Sequence, residues 1–329
     1  MSTLEERKKL IEEQITRLYK ERQVLANEIQ KQAKVKESSD LPDLIMTALA
    51  TTPKQFPEHA FVACQGIEGS NSQAACEKAF KYPGIMYFKD FGAVFSSIEK
   101  GLCEYGVLPI ENSTAGSVNQ IYDLMKAHKF YIVKSVRVKI DHNLLANEGA
   151  SLKDIKEIYS HSQAIAQSSE FLAELGDPKI NYVSNTAVAS KMVKESGRKD
   201  IAAISSIECA AIYGLKALAT DIQDRNDNYT RFIVISKKPE IYPGADKSSI
   251  MAELPHRPGS LHDMLGRISE EGYDLVKLES RPIPGKDFEF LFYFDLQASC
   301  YDPAFPKMLD DLQHFCDKFE YLGSYQEVI

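Results

Sequence analysis

Four short segments of the sequence share one construction. In each, an apolar run ends, hydroxyl and amide side chains follow, and an amphipathic stretch begins. A helix N-terminus carries unpaired N–H groups and a partial positive charge, so several that converge on one crevice form a site for a carboxylate or a phosphate. Simple N-capping explains any one of these segments, but the four together predict a ligand crevice. They are Gly66–Ser72 (GIEGSNS), Ile110–Ser117 (IENSTAGS), Ser160–Ala164 (SHSQA) and Ser184–Ala187 (SNTA).

A fifth segment, DRNDNYTRFIVI, places Thr230 and Arg231 directly before the apolar run Phe232–Ile235. Arginine offers a planar fork that matches a carboxylate, and threonine offers one directed hydroxyl donor. In the second of the four turns, Glu111 and Asn112 add a proton source and an amide donor. The residues alone therefore predict an anion-binding site with weak acid–base groups and no cofactor.

Other chemistries find no support in the sequence. The turn Gly66–Ser72 lacks the lysine of a phosphate-binding loop and the glycine spacing of a dinucleotide-binding one, so nucleotide binding is not expected. His161 has no acid that the sequence pairs with it, and it fits a structural or substrate-contacting imidazole as well as a base. The seven histidines show no metal-ligand spacing, so no metal is expected.

The composition indicates an ordinary globular protein. The 329 residues are 44% hydrophobic and 26% charged, and a net charge of −8 gives no support to binding of nucleic acid or a membrane surface. The start, MSTLEERKKL, is too charged for a signal peptide, and no stretch approaches the ~20 apolar residues of a membrane span. The six cysteines form no C-x-x-C pair and are expected to be reduced. We therefore expect a cytoplasmic protein.

Three regions of the chain differ in their pattern. Residues 1–58 form a helical extension whose apolar positions suit packing on another helix. Residues 59–238 alternate short apolar runs with amphipathic stretches, which is typical of an α/β architecture in two lobes with a largely parallel sheet. Residues 248–329 follow a linker that contains proline and glycine. Their pattern is strand, helix, strand, strand, helix, strand, the order of a ferredoxin-like βαββαβ sandwich.

The motif-bearing segments of the middle region resemble the catalytic domain of prephenate dehydratase. They are, in chain order, VACQGIEGSNSQAA, GVLPIENSTAGSVNQIYDLM, IYSHSQA, SNTAVAS and NYTRFIVI. Further on, LVKLESRPI with PHRPGSL before it resembles the ACT regulatory domain that follows the catalytic domain in this family. The resemblance implies two α/β lobes around a cleft, similar to a type II periplasmic binding protein. It also implies conversion of prephenate to phenylpyruvate by loss of carbon dioxide and water, without a cofactor.

The resemblance further implies roles for single residues. Thr230 is expected to donate to the departing hydroxyl, with Glu111 as the alternative source of the proton. Asn112 and Gln163 are expected to position the substrate through hydrogen bonds. The residues expected to bind the substrate, most of them around its carboxylates, are Arg231, Phe232, Ser113, Thr114, His161, Ser162, Asn185 and Thr186.

The ACT resemblance implies phenylalanine as an effector, bound between subunits of a homodimer or homotetramer. The family usually has G-A-L-V in the turn before the first ACT helix, whereas this chain has a larger and more polar pair in Gly259-Ser260-Leu261-His262. The residues expected at the effector site are Gly259, Ser260, Leu261, Glu279, Ser280, Arg281 and Pro282.

The N-terminal segment ERQVLANEIQKQAK resembles the first helix of the chorismate mutase domain fused to some of these enzymes, with Arg22 at a substrate position. A mutase needs further helices for which the chain has no room, so we expect a structural remnant that supports oligomerisation. Two alternatives remain for the whole chain. One is arogenate, which carries an amine in place of the keto oxygen, as the substrate. The other is an amino-acid sensor without chemistry, against which the intact T-R-F and E-N-S motifs argue.

Overall fold

The structure, a computed structural model, describes Gln14 and residues 41–329 apart from residues 284, 287 and 288. The N-terminal helix that the sequence predicts, including Arg22, lies outside these residues apart from Gln14. Two compact units are present. The two-lobed unit comprises Thr51–Lys247 with Gly323–Ile329, and the ferredoxin-like unit comprises the described residues up to Ala50 with Ser248–Leu322. Within this part of the chain, no helix has the length and apolar character needed to cross a bilayer.

The helices of the described residues are short to medium in length. In chain order they are α1 (Leu41–Thr51), α2 (Asn71–Ala79), α3 (Phe91–Glu99), α4 (Asn119–Met125), α5 (Ser162–Ala166), α6 (Ser169–Glu174), α7 (Thr186–Ser196), α8 (Glu208–Tyr213), α9 (Ser260–Glu270) and α10 (Ala304–Phe315), with a 3₁₀ turn at Leu152–Asp154.

The strands of the same residues form three sheets. In chain order they are β1 (His59–Gln65), β2 (Tyr82–Phe88), β3 (Tyr105–Asn112), β4 (Gly116–Ser117), β5 (Tyr131–Lys139), β6 (Asn143–Ala146), β7 (Glu157–Ser160), β8 (Lys179–Tyr182), β9 (Ile201–Ser205), β10 (Lys216–Ala219), β11 (Tyr229–Ser236), β12 (Lys247–Glu253), β13 (Asp274–Pro282), β14 (Phe290–Gln297), β15 (Lys318–Tyr325) and β16 (Glu327–Val328).

The first lobe of the two-lobed unit is built on the sheet β16-β5-β11-β3-β1-β2, with β4 beside β3. Strands β1, β2 and β3 are parallel, because helices α2 and α3 supply the crossovers, whereas β11 runs antiparallel to both β3 and β5. Helix α2 packs on one face and buries Ala75 and Cys76 against Val62 and Cys64. Since parallel strands end at one edge of a sheet, the turns that follow β1 and β3 lie at the same edge.

The second lobe has the sheet β10-β6-β9-β7-β8. Strands β7, β8 and β9 are parallel, and β6 is antiparallel to β9. Helix α7 covers one face and buries Ala187 and Val193 against Leu145 and Ala203. The two lobes thus share one strand order. The parallel strands lie in the order β2-β1-β3 in the first lobe and β8-β7-β9 in the second, and each set is followed by an antiparallel strand, β11 or β6, that enters from the other lobe. The two-lobed α/β fold that the sequence predicts is confirmed.

The ferredoxin-like unit has the order β12-α9-β13-β14-α10-β15 and the sheet β13-β14-β12-β15. Its strand pairs β12–β14 and β13–β14 are antiparallel. Helix α10 buries Phe305, Met308, Leu309 and Leu312, a spacing of three and four residues that places all of them on one face. The βαββαβ order expected from the sequence is therefore present.

The C-terminal boundary differs from the predicted range 248–329. Strand β15 ends at Tyr325, and Glu327–Val328 form β16 at the outer edge of β5 in the two-lobed unit. A strand of two residues carries no periodic pattern, and it exists only because β5 supplies an edge with which to pair. For this reason the sequence pattern predicts one final strand where the structure has two, β15 and β16.

Candidate active site

A cavity of about 470 Å³ lies in the two-lobed unit and is lined by residues of both lobes. Small-molecule sites usually have volumes of roughly 300–1,000 Å³. Among the described residues, those that line the cavity include no Asp, Glu, Lys or Arg side chain, so neutral donors must hold an anion there. The lining residues are Gln65, Ser70, Asn71, Ser72, Phe91, Pro109, Asn112, Ala115, Gly116, Ser117, Val118, Gln120, Ile140, His142, His161, Gln163, Ala164, Gln167, Ser184, Asn185, Thr186, Thr230 and Phe232.

Helices of both lobes begin at the cavity, among them α2 in the first lobe and α7 in the second. The Ser70 hydroxyl caps α2 by accepting from the Gln73 amide at 3.4 Å, and Asn185 Oδ1 caps α7 by accepting from the Val188 amide at 2.8 Å. Both capping residues line the cavity. The free first-turn amides and the helix dipole favour negative charge at each end. A ligand with two carboxylates fits this pair of positive ends.

The hydroxyl of Thr230 is oriented by Asn112. Asn112 Oδ1 accepts from the backbone amides of Thr114 (3.1 Å) and Ala115 (2.8 Å), so its Nδ2 must be the donor on the other side. That Nδ2 donates to Thr230 Oγ1 at 3.0 Å across the β3–β11 register. Because this bond occupies a lone pair of Oγ1, the Thr230 proton is free to be donated to a ligand. The turn therefore makes Thr230 a directed donor.

A chain of amides and one imidazole extends this network. Asn228 Oδ1 accepts from Asn112 Nδ2 at 2.7 Å, and Asn228 Nδ2 donates to Gln167 Oε1 at 2.9 Å. Gln167 Oε1 also accepts from His142 Nε2 at 2.9 Å, which fixes the tautomer with the proton on Nε2. The sequence did not predict a role for His142, Gln167 or Asn228. Each is a single polar residue in a loop or at a helix end, and no sequence pattern distinguishes it from its neighbours.

Both imidazoles at the cavity are neutral near pH 7. Burial lowers the pKa of His142 below its ordinary value of 6.5 and outweighs the opposing hydrogen bond to Gln167 and the charge of Asp141. Burial also lowers the pKa of His161, whose Nδ1 accepts from the Gln163 amide at 3.2 Å. In this state each imidazole is a neutral hydrogen-bonding group rather than an acid.

The buried imidazole of His142 predicts an acid-sensitive fold. Because its pKa is lowered in the folded state, the unfolded chain binds the extra proton first as the pH falls below 6.5. The contribution of His142 to the free energy of unfolding should be flat with pH above 6.5 and decrease below it, with a slope from this one group of at most about 1.4 kcal/mol per pH unit. Urea unfolding of wild type and His142→Gln between pH 5 and 8 measures this contribution.

The variant should show a shallower decline between pH 5 and 6.5, where only His161 of the two cavity imidazoles still contributes. His262→Gln is the matched control, because the His262 side chain is 89% exposed, and its curve should follow the wild type. Identical slopes for wild type and His142→Gln would contradict the expectation.

Arg231 and Glu111 lie away from the cavity. Successive side chains of a strand point to opposite faces, so Thr230 and Phe232 face the cavity and Arg231 faces the other side. The Arg231 side chain is 5% exposed, and its Nε lies 2.6 Å from Glu111 Oε1. The motifs suggest that Arg231 binds a substrate carboxylate and that Glu111 supplies the proton for the departing hydroxyl. Neither side chain lines the cavity, so this placement does not support either role.

The other residues predicted at the substrate site divide into two groups. His161, Gln163, Asn185, Thr186 and Phe232 line the cavity together with Thr230 and Asn112. Ser113, Thr114 and Ser162 do not belong to its lining. Ser113 instead fastens the turn to β11, because its hydroxyl donates to the Asp227 carbonyl and accepts from the Tyr229 amide, both at 2.9 Å.

Thr114 supports the Asn112 side chain. Its hydroxyl donates to Asn112 Oδ1 at 2.7 Å and accepts from Gln167 Nε2 at 2.9 Å. It thus joins the turn after β3 in the first lobe to the end of α5 in the second. Ser162 is the first residue of α5 and is exposed.

A second cavity, of about 330 Å³, lies in the ferredoxin-like unit and includes the turn Gly259, Ser260 and Leu261. The Ser260 hydroxyl bonds to the Arg257 carbonyl at 2.9 Å and to the Pro255 carbonyl, so it is engaged by its own loop. The remaining predicted effector residues, Glu279, Ser280, Arg281 and Pro282, lie on the edge strand β13 and are not part of this cavity.

The two α/β lobes enclose a cavity that is lined by uncharged residues and by helix N-termini of both lobes, with one aligned hydroxyl donor, and this arrangement suits the binding of a small anion. Comparison with known proteins gives the family. The family model of prephenate dehydratase matches residues 62–240. The chain belongs to the prephenate dehydratase family.

Individual relatives agree with this assignment. Arogenate dehydratase 2 of Petunia hybrida is 38% identical over 281 residues, which are 80% of this chain and 71% of the relative. The structure of a prephenate dehydratase from Arthrobacter aurescens in complex with L-Phe is 29% identical, with a TM-score of 0.74 over 81% of this chain and 90% of that one. A structure described as GqqA, a novel type of quorum quenching acylases, is 30% identical, with a TM-score of 0.74 over 80% and 97% of the two chains.

Proposed function

We propose that this chain is a dehydratase that converts prephenate to phenylpyruvate, with phenylalanine as its effector. The observation that carries the proposal is the Thr230 hydroxyl, which Asn112 Nδ2 holds at 3.0 Å in a cavity with helix N-termini from both lobes. Prephenate is a dicarboxylate, and helix N-termini are suited to bind its anionic groups.

The reaction needs little acid catalysis. The bond from the ring to its carboxylate breaks and releases carbon dioxide, its electron pair enters the ring, and the C–O bond to the hydroxyl breaks. The hydroxyl leaves as water after taking up one proton, and the ring becomes aromatic. Since aromatisation makes the reaction strongly downhill, an aligned and desolvated hydroxyl donor is sufficient where an ordinary dehydration needs a stronger acid.

Of the two proton donors that the motifs allow, Thr230 is supported and Glu111 is not. Thr230 lines the cavity, and Glu111 is ion-paired with Arg231 on the opposite face of the sheet. The water that leaves therefore receives its hydrogen bond from Thr230, and Gln163 and Asn112 hold the substrate beside it. His161, Asn185 and Thr186 complete the polar lining.

The regulatory part of the proposal rests on the second cavity. The Arthrobacter relative was solved with L-Phe, and the turn Gly259–Leu261 of this chain opens helix α9 beside a cavity. The Ser260 hydroxyl bonds to its own loop, and His262, whose side chain is 89% exposed, also lines the cavity. A homodimer or homotetramer would let the edge strand β13 of a second subunit complete the site. A cytoplasmic location remains part of the prediction.

Acylase activity, which is named for the similar structure GqqA, receives less support. Acyl transfer needs a nucleophile hydrogen-bonded to a base. In the described residues, the two cavity imidazoles bond to amides instead, His161 to the Gln163 backbone and His142 to the Gln167 side chain. Neither imidazole is therefore positioned to activate a cavity serine.

Product analysis tests the proposed function. Purified chain is incubated separately with prephenate and arogenate, with and without phenylalanine, and the products are identified by mass spectrometry. We expect phenylpyruvate from prephenate, and less of it when phenylalanine is present. Phenylalanine formed from arogenate at the higher kcat/KM would assign the arogenate alternative, and no turnover of either substrate would support the sensor.

A further inference from the structure

The last residues of the chain are built into the sheet that carries Thr230. Strand β16 pairs in parallel with β5, with Glu327 opposite Ser135 and Val328 opposite Val136, and the Ser135 amide donates to the Gln326 carbonyl at 3.0 Å. Gly323, at a φ of +134°, passes so close to β5 that a Cβ there would lie 2.2 Å from the Ile132 carbonyl oxygen. The chain end is thus an ordered part of the two-lobed unit.

The carboxylate of Glu327 is buried among three cations. Its side chain is 5% exposed, and its oxygens lie 2.6 Å from Arg137, 2.8 Å from Lys247 and 3.8 Å from Arg231. Burial alone raises the pKa of Glu327, but the hydrogen bond from Lys247 and the charges of Lys247, Arg137 and Arg231 outweigh burial, and the net pKa is lowered. Glu327 is therefore ionised at neutral pH.

Without this carboxylate the sheet would carry an uncompensated repulsion. Arg231 of β11 lies directly opposite Arg137 of β5 in the antiparallel register. Like charges in such a pair destabilise a sheet. Glu111, which pairs with Arg231 from the β3 side, balances one of the two arginines. Glu327 supplies the second negative charge from the β16 side and contacts both.

The cluster acts on the backbone that orients Thr230. Arg231 follows Thr230 directly and pairs with Glu111, whereas Phe232 pairs with Pro109, so Ile110 of β3 is the extra residue of a bulge beside these positions. The Ser135 hydroxyl lies 3.2 Å from the Phe232 carbonyl and 3.4 Å from Glu327 Oε2. Glu327 thus contacts Arg231 of β11 directly, and it also lies beside Ser135 of the neighbouring strand β5.

We propose that Glu327 is a positioning residue for the reaction at Thr230, an inference that rests on the proposed function. It never reaches the cavity. It fixes the Arg231 guanidinium on the far face of β11, and so sets the direction of the Thr230 hydroxyl. The same carboxylate binds Lys247, the last residue before the chain enters the ferredoxin-like unit, and it follows closely on Gly323, the first residue after the chain leaves that unit.

The test compares Glu327→Gln, Glu327→Asp and the wild type on prephenate. Glutamine keeps the shape and one acceptor but removes the charge, so we expect kcat to fall about tenfold, as for a misaligned catalytic group, while KM stays within about twofold. Aspartate keeps the charge on a shorter side chain and should recover part of the lost kcat. A chain that ends at Gln326 should lose at least as much kcat as Glu327→Gln.

Glu157→Gln is the matched control. Glu157 is also a carboxylate with several partners, Arg198 at 2.8 Å, Asn181 at 3.0 Å and Lys179 at 3.2 Å, but it lies at the start of β7 in the other lobe. Its loss should lower the melting temperature without changing kcat. A wild-type kcat in Glu327→Gln, or an equal decrease of kcat in Glu157→Gln, would overturn the proposal.

Hydrogen exchange separates this inference from the proposed function. In Glu327→Gln, the peptide that covers β11 should exchange faster, and the peptide that covers β7 should be unchanged, whichever substrate the protein uses. If the wild type turns over neither prephenate nor arogenate, the proposed function fails, and unchanged exchange in β11 would show that the Glu327 contacts fail as well.

Discussion

Replacing Thr230 by valine should reduce kcat/KM for prephenate by about 10²- to 10³-fold, the usual loss when one preorganised donor is removed from an active site. Valine has the shape of threonine and lacks only the hydroxyl. Asn112 Nδ2 keeps acceptors for both of its protons in Asn228 Oδ1 at 2.7 Å and the Tyr229 carbonyl at 3.3 Å, so the substitution leaves no buried donor unpaired. Steady-state kinetics and thermal unfolding of the same preparation separate the catalytic loss from any loss of stability.

Thr230→Ser is the control for this prediction. Serine restores the hydroxyl without the methyl group, so activity should return to within about tenfold of the wild type. Near-normal turnover by Thr230→Val would show that the Thr230 hydroxyl has no role in the reaction. The donor would then have to be another polar group of the cavity, with Gln163 and Asn112 as the first candidates.

Replacing Arg231 by methionine should destabilise the fold and leave substrate binding nearly unchanged. The guanidinium is 5% exposed and neutralises Glu111 and Glu327, and breaking a buried ion pair by removing one partner costs about 3–5 kcal/mol. We expect the lower end of that range, because Glu327 keeps Arg137 and Lys247. Urea unfolding gives the cost, and KM for prephenate should stay within about threefold.

The motif-based expectation for Arg231 gives a different result. If Arg231 bound a substrate carboxylate, the variant would raise KM by far more than threefold. Arg225→Met is the matched control, because this arginine pairs with Asp227 in the preceding loop with its side chain 71% exposed, and loss of such a surface pair costs at most about 1 kcal/mol. A large KM effect without loss of stability in Arg231→Met would contradict the placement seen in the structure.

Local patterns in the sequence predicted the architecture well. The alternation of apolar runs and amphipathic stretches predicted the two α/β lobes, and the strand and helix order predicted the βαββαβ unit. The strand-end turns predicted the cavity, since the ends of parallel strands meet at one edge of a sheet. Ser70, Asn112, Asn185 and Thr230 accordingly line one site.

Features that depend on long-range register were not predictable. The two-residue period of β11 separates Thr230 from Arg231, but the partners of these residues depend on a bulge at Ile110 of β3 that the sequence does not mark. His142, Gln167 and Asn228 meet only when the loops are in place. Glu327 pairs with β5 because that strand has an open edge in the sheet, and the three residues Gln326-Glu327-Val328 carry no pattern that predicts this pairing.

Titration of prephenate into Thr230→Val by calorimetry, with product analysis of the same sample, tests the central claim most directly. We expect Thr230→Val to bind prephenate with a Kd near the wild-type KM and to form almost no phenylpyruvate. The helix N-termini that hold the carboxylates are intact in this variant, and only the hydroxyl donor is missing. Absence of binding, or phenylpyruvate formed at the wild-type rate, would contradict the assignment of this cavity and of Thr230 to the reaction.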